Sequence, residues 1–411
     1  MEENIFFDYA STTPCCTAAL EAIQEFSVKK FGNPSSKHSF GNMANTAIKE
    51  ARLFFADIFN TQPEQILFTG SGSEANNLAL YGICLDYLSK NLKNTFNSPP
   101  RILVSSIEHP SVKQTALSLS PYGIDVQCIP VNKNGQIKLE QFMDLITPQT
   151  LLVSIHQVNN IIGSLLPVEE LARIAKTKCP SLIFHTDAVQ AFGKVQTARA
   201  PSTLDLTKID LVSLSAHKIE GPKGVGALIV LNEKLLHSGL RPLIWGGGQE
   251  QGFRSGTQNP GLISAFKIAS QKAVAEQDQV TRHTLALRNY LLASLKNKKL
   301  LTANLDSPLR LNSPLDTQIS VPHIINLSAP GFPSGPWAKL LEEKNCIVST
   351  GSACGSRKEE SDEVLLAIGL SPKNQASQAI RISFSMRNTL QEIDILTNAI
   401  ESTLNQMARL A

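Results

Sequence analysis

The sequence predicts an α/β protein, with a mostly parallel central sheet flanked by helices and a smaller α+β domain after it. Three observations lead there. Short apolar, β-branched runs alternate with helical patterns through roughly the first 260 residues, which is the signature of βαβ units. The composition then shifts after Gly256-Thr257-Gln258-Asn259-Pro260, where a long helical stretch over about 261–296 begins and a weaker α+β pattern follows. Finally, 411 residues, 42% hydrophobic and 18% charged, suffice for two domains with substantial cores.

The elements follow in order. Strands are expected at 66–69, 102–105, 126–130, 151–155, 182–185, 211–214 and 225–231, each a compact apolar run bounded by turn residues. A helix should follow Ser73, where Leu78, Tyr81, Leu85 and Leu88 recur at 3-4-3 spacing. The last helix should carry Ile393, Leu396, Ile400 and Leu404 on one face. Residues 94–100 and 306–322, rich in Asn, Ser and Pro, are expected to be surface loops. There is no internal repeat. The chain is read as a large domain over 16–258 and a small domain formed by 1–15 with 259–411.

Bulk properties exclude several classes. A formal net charge of +3 is too small to argue for nucleic acid as a main partner. No apolar run reaches bilayer-spanning length, and Met1-Glu2-Glu3-Asn4 opens no signal peptide. The seven cysteines, Cys15, Cys16, Cys84, Cys128, Cys179, Cys346 and Cys354, are dispersed and form no CxxC pair. That argues against a disulfide framework or a cysteine-rich zinc site, and for a reducing cytoplasm. No metal site is expected.

The chemistry concentrates at strand ends. Lys218 follows the run 210–214 through Ser215-Ala216-His217, whereas Lys223 sits in a Pro-Gly turn. A lysine so placed is a candidate Schiff-base former, with a surface lysine as the plain alternative. Asp187 closes Leu182-Ile183-Phe184-His185-Thr186-Asp187, where open α/β sheets bind ligands. Lysine and carboxylate together suit pyridoxal 5'-phosphate (PLP), whose ring needs a partner for its nitrogen. Asp187 could equally be a helix N-cap, with Gln190 completing a capping box. Thr69-Gly70-Ser71-Gly72-Ser73-Glu74 follows a strand and opens a helix, so Gly72 and Ser73 could hold a phosphate. A simple N-capped helix is the competing reading.

Further candidates come from other strands and loops. His109, after the run 102–105, could stack on a flat cofactor and move protons. Arg381, inside the apolar run Ala379-Ile380-Arg381-Ile382-Ser383-Phe384, wants an anion, either a substrate carboxylate or a structural carboxylate. Cys354, in Gly351-Ser352-Ala353-Cys354-Gly355-Ser356, reads as a thiol on an exposed loop, with Arg357 and Lys358 near enough in sequence to favour its thiolate. Cys15-Cys16 reads as structural. A second glycine-rich turn, Gly246-Gly247-Gly248 through Gly256-Thr257, could meet a phosphate across a dimer interface.

These motifs in this order resemble the cysteine desulfurases of the NifS/IscS-like group, in the class V aminotransferase branch of fold-type I PLP-dependent transferases. The likeness runs nearly end to end. It takes in Phe7-Asp8-Tyr9-Ala10-Ser11-Thr12-Thr13-Pro14, Glu108-His109, Val158-Asn159-Asn160, His185-Thr186-Asp187-Ala188-Val189-Gln190, Ser215-Ala216-His217-Lys218, Arg254-Ser255-Gly256-Thr257, Gly351-Ser352-Ala353-Cys354 and Ile380-Arg381. The resemblance implies that Lys218 carries PLP, that Asp187 pairs with the pyridine nitrogen, and that Gln190 and Asn160 lie near the phenolic oxygen and the substrate. It implies that His109 stacks on the ring and transfers protons. By the same resemblance Gly72, Ser73, Ser215 and His217 would hold the phosphate, with Thr257 of a second subunit. Arg381 would clamp the carboxylate of L-cysteine, and Cys354 would take up its sulfur as a persulfide, leaving L-alanine.

The expected partners are L-cysteine, a second copy of the chain, and a sulfur-acceptor protein for iron–sulfur assembly or for tRNA or cofactor thiolation. Where the group often reads Val-Asn-Asn-Glu-Ile-Gly, this chain has Ile161, and Pro110-Ser111 is a variant form of the histidine loop. Alternative readings are a selenocysteine lyase or another class V enzyme, or a catalytically weak sulfur-relay scaffold protein.

Overall fold

The computed structural model describes residues 4–90, 99–195, 208–302, 307–350, 362–371 and 376–410. In chain order these form β1 (Ile5–Phe6), α1 (Thr17–Val28), α2 (Ser39–Phe59), β2 (Ile66–Thr69), α3 (Gly72–Lys90), β3 (Arg101–Ser105), α4 (Pro110–Leu117), β4 (Asp125–Ile129), α5 (Leu139–Leu145), β5 (Thr150–Ser154), α6 (Val168–Lys178), β6 (Ile183–Asp187), β7 (Leu211–Ser215) and β8 (Gly226–Val230). There follow α7 (Lys234–His237), α8 (Pro260–Asn297), β9 (Arg310–Leu311), β10 (Ile324–Ser328), α9 (Ser334–Glu342), β11 (Cys346–Ile347), α10 (Glu363–Ala367), β12 (Ala379–Ser383) and α11 (Leu390–Leu410). Each expected strand is present within about two residues.

Seven strands make the central sheet in the order β2-β8-β7-β6-β5-β3-β4. Strands β3 to β7 run parallel, while β8 is antiparallel to both β7 and β2. The sheet is therefore mixed. The link from β7 to β8 holds only a 3-10 turn at Ala216–Lys218 and no crossover helix, and a parallel neighbour would need a longer crossover. Alternate residues feed two cores. Phe68, Leu103, Val153, Phe184 and Val212 face a layer with Phe55 of α2, Leu171 of α6 and Phe266 of α8. Leu67, Ile102, Val104, Leu152 and Leu228 face α3 and α4 through Leu78 and Val112.

A separate core gathers Phe7, Ile325, Leu327, Trp337, Ile380 and Ile382 with the later turns of α8 and α11. Around it lie the smaller sheet β12-β10-β9 and the parallel pair β1-β11. The predicted stripe Ile393, Leu396, Ile400 and Leu404 is buried there. The stripe predicted on α3 differs, because Leu85 is 40% exposed while Leu80, Ile83 and Cys84 are buried. Packing on β7, β8 and α4 covers most of that helix's circumference, so a single apolar stripe does not mark its buried side. The stretch at 307–322, expected to be loop, contains the short strand β9. No helix among the described residues is long and apolar enough to cross a membrane.

Candidate active site

The carboxyl ends of β2, β3, β5, β6 and β7 open onto one cavity of about 210 Å³. Ala10, Ser11, Gly72, Ser73, Asn76, His109, Ser111, His156, Asn160, Asp187, Gln190, Ser215, His217, Lys218 and Arg381 all line it. Ligands bind at this edge of an open α/β sheet because loops and helix N-termini converge there.

Ser71, which lines the cavity, caps α3 by accepting the Glu74 N–H on its Oγ at 3.1 Å. The N–H groups of Gly72 and Ser73, in the first turn, lack intrahelical acceptors. A Cβ on Gly72 would meet Val189 Cγ2 at 2.7 Å and Ser215 Cβ at 3.1 Å, so only glycine brings this turn so close. Ser215 Oγ is buried with no hydrogen-bond partner among the described residues. Helix N-terminus, free hydroxyl and small residues together suit an anion. His217 Nδ1 lies 3.2 Å from Thr12 Oγ1. Burial, with Lys218, Lys194 and Lys223 nearby, pushes its pKa down to about 4.

Asp187, the last residue of β6, lines the same cavity. Its Oδ2 accepts from Asn76 Nδ2 at 2.7 Å, and its Oδ1 accepts the Val189 N–H at 2.9 Å. No capping box forms with Gln190, whose Nε2 donates to the Ala10 carbonyl at 2.8 Å. Thr186 Oγ1 donates to the Ile155 carbonyl, and His185 is held between Ser154 Oγ and Ser213 Oγ at 2.8 and 2.9 Å. Desolvation pushes the His185 pKa down to about 4.

Lys218 projects from the turn after β7, and its Nζ donates to the Ala10 and Ser11 carbonyls, both at 2.7 Å. Lys223 is exposed. Lys194, bonded to Gln190 Oε1 at 3.3 Å, is only partly exposed. Desolvation, with Lys218 and Arg381 near, pushes its pKa down to about 7. His109 is the N-cap of α4, with Pro110 at the first helical position, where its missing N–H costs nothing. His109 Nδ1 accepts the Ser111 N–H at 3.1 Å, which leaves the proton of the neutral ring on Nε2. Burial keeps its pKa below the ordinary histidine value.

Arg381 is 1% exposed. It donates to the Asn160 carbonyl at 2.8 Å, to Asp8 Oδ1 at 2.7 Å and to Ser11 Oγ at 2.6 Å, while its Nε has no partner among the described residues. The structural carboxylate foreseen as an alternative is thus present, at Asp8. Ile161 is 1% exposed and packs with Ile107, Val364 and Leu365, so this position is apolar core. Thr257 is exposed and lies outside the cavity of its own chain. Arg254 ties the second glycine-rich turn to Glu74 at 2.9 Å. Cys354, Arg357 and Lys358 lie outside the described residues.

Sequence reading gave no site role to Asn76, Ser111, His156 or the segment Asp8 to Ser11, although that segment and Ser111 lie in motifs it singled out. His156 carried a usable signal, since it directly follows the run 151–155, in the strand-end position that singled out His109. Asn76 carried none, because nothing in its helix shows that it reaches Asp187.

A flat phosphorylated cofactor fits this donor set: an anion cradle with an orphaned hydroxyl, a lysine and a buried carboxylate, all lining one cavity. The fold and these groups define a class, the fold-type I PLP-dependent enzymes, and the aminotransferase class-V family matches residues 5–396, so the chain belongs to that family. The cysteine desulfurase IscS of Rickettsia prowazekii is 36% identical over 408 residues, covering 99% of this chain and 92% of the relative. A solved NifS-like protein superposes with a TM-score of 0.84 at 34% identity, over 98% of this chain and 99% of that one. A structure described as SspA in complex with cysteine has a TM-score of 0.75 at 32% identity, over 93% and 99% of the two chains. Within the family, the chain belongs with the NifS/IscS-like cysteine desulfurases. That membership supports an enzyme of cysteine-desulfurase type that uses PLP.

Proposed function

We propose that this protein converts L-cysteine to L-alanine and transfers the sulfur to Cys354. The observation that carries the reading is the convergence of Lys218, Asp187, His109 and the α3 anion cradle in one cavity. Bound PLP supplies an electron sink for the substrate α-carbon. Lys218 anchors it. Gly72, Ser73, Ser215 and His217 receive its phosphate, Asp187 keeps its ring nitrogen protonated, and Gln190 and Asn160 face its phenolic oxygen. His109, neutral because it is buried, covers the ring and moves protons. Arg381, oriented by Asp8, takes the substrate carboxylate. Overall, cysteine and the Cys354 thiol give alanine and the Cys354 persulfide.

The small unit, 1–15 with 259–411, carries Cys354 to the large one, 16–258. Two copies pair, each lending Thr257 to its neighbour's phosphate site. The persulfide serves an acceptor protein, for iron–sulfur cluster assembly or thiolation, in the cytoplasm. The relative solved with cysteine supports this choice of substrate.

The test is alanine formation from L-cysteine by PLP-loaded protein with a thiol reductant present. Alanine and sulfide in equal amounts are expected. Cys354→Ser should retain PLP and lose alanine production by at least ~100-fold, the scale on which removing a nucleophile acts. Unchanged turnover in that variant excludes the persulfide role.

A further inference from the structure

Glu108, His156 and Asp187 form a row across the carboxyl ends of three neighbouring strands. Ser154 of β5 pairs with His185 of β6, and their side chains meet at 2.8 Å. Two residues on, the Gln157 N–H donates to the Asp187 carbonyl at 3.0 Å. The two-residue period therefore sets His156 beside Asp187 on the same face.

Glu108 and His156 are each 3% exposed. Glu108 Oε1 lies 3.1 Å from His156 Nδ1 and accepts the His156 backbone N–H at 2.8 Å. This fixes the ring and places a proton on Nδ1. His156 Nε2 is buried without a hydrogen-bond partner among the described residues, yet the ring lines the cavity. The charged and titratable groups around it are Glu108 and His109 from the β3–α4 turn, Asp187 from β6, His217 and Lys218 from the turn after β7, and Arg381 from β12. Burial alone would lower the His156 pKa, but Glu108 and then Asp187 raise it above the ordinary histidine value.

We propose that His156 is a positioning residue for Asp187, which, held by Glu108, sets the electrostatic environment of that carboxylate and so the proton affinity of the cofactor bound against it. The proposal rests on the reading that Asp187 faces the PLP ring nitrogen. With Glu108 holding its Nδ1 proton, a protonated His156 beside Asp187 would offset part of that carboxylate's negative charge. Glu108→Gln lets His156 go neutral, and His156→Gln lets the buried Glu108 take up a proton. Each variant removes the same local charge separation, so each makes the cofactor's surroundings more negative.

Two readouts test this in the full-length chain. The first follows the His156 ring by NMR with labelled histidine, assigned with His156→Gln, before PLP is added. Asp187→Asn should lower the His156 midpoint by about 1 pH unit, the effect of losing an opposite charge within ~4–6 Å, and Glu108→Gln should lower it further. The second follows the visible absorbance of bound PLP against pH. Glu108→Gln and His156→Gln should move its midpoint upward alike, and the double variant no further than either one.

A His156 midpoint indifferent to Asp187→Asn overturns the proposal, as do single-variant shifts that add in the double. Should the protein take up no PLP while Asp187→Asn still moves the His156 midpoint, the cofactor reading falls and the coupled row stands.

Discussion

Removal of the Asp8 carboxylate isolates a buried cation. The Arg381 side chain is 2% exposed and that of Asp8 17%, with 2.7 Å between Nη2 and Oδ1. Deleting one member of a buried pair leaves the other charge without compensation, a loss of about 3–5 kcal/mol. Arg381 would keep the Asn160 carbonyl and Ser11 Oγ, and Asp8 is partly solvated, so Asp8→Ala should sit at the lower end, about 3 kcal/mol. Asp8→Asn retains an oxygen acceptor but no charge and should cost about 1–2 kcal/mol. Urea unfolding at pH 7 measures both through their midpoints. The double variant Asp8→Ala/Arg381→Met should recover much of the loss, because an apolar pair needs no counter-charge. A loss under about 0.5 kcal/mol for Asp8→Ala, the size of an ordinary surface substitution, would refute the argument.

Two further outcomes follow from the site. Gly72→Ala puts a methyl 2.7 Å from Val189 Cγ2 and 3.1 Å from Ser215 Cβ, and overpacking of about 1–3 kcal/mol should weaken PLP binding roughly tenfold or more in an absorbance titration. His185 is held neutral, with its pKa pushed to about 4 by burial. Above the unfolded value near 6.5 neither state is protonated. As pH falls from there to about 4, the unfolded chain takes up a proton and the folded one does not, so about 3 kcal/mol of stability is lost across that window. Urea midpoints at pH 7 and pH 4.5 should show this loss, and His185→Gln should flatten it.

Much of the fold could be read from local pattern, because a strand buried on both faces is a short run of apolar residues whatever surrounds it. The runs at β2, β3 and β5 to β8 are such strands, and their carboxyl ends mark where His109, Asp187 and Lys218 stand. The antiparallel sense of β8 was not legible in its own residues. The α3 stripe misled because neighbours on several sides, rather than one face, bury that helix.

By itself the sequence determined the α/β class, the strand-end places of the candidate residues and the family likeness, since each is written in neighbouring residues. Only the tertiary structure decided what closes the site. The Ala10 carbonyl meets Lys218 across 208 positions and Asp8 meets Arg381 across 373. The same holds for Asn76 against Asp187, 111 positions apart, and for Glu108 against His156, 48 apart. Such pairings are fixed by how the sheet and its loops stack. A residue's own neighbours in sequence carry no record of the charge or carbonyl it will face.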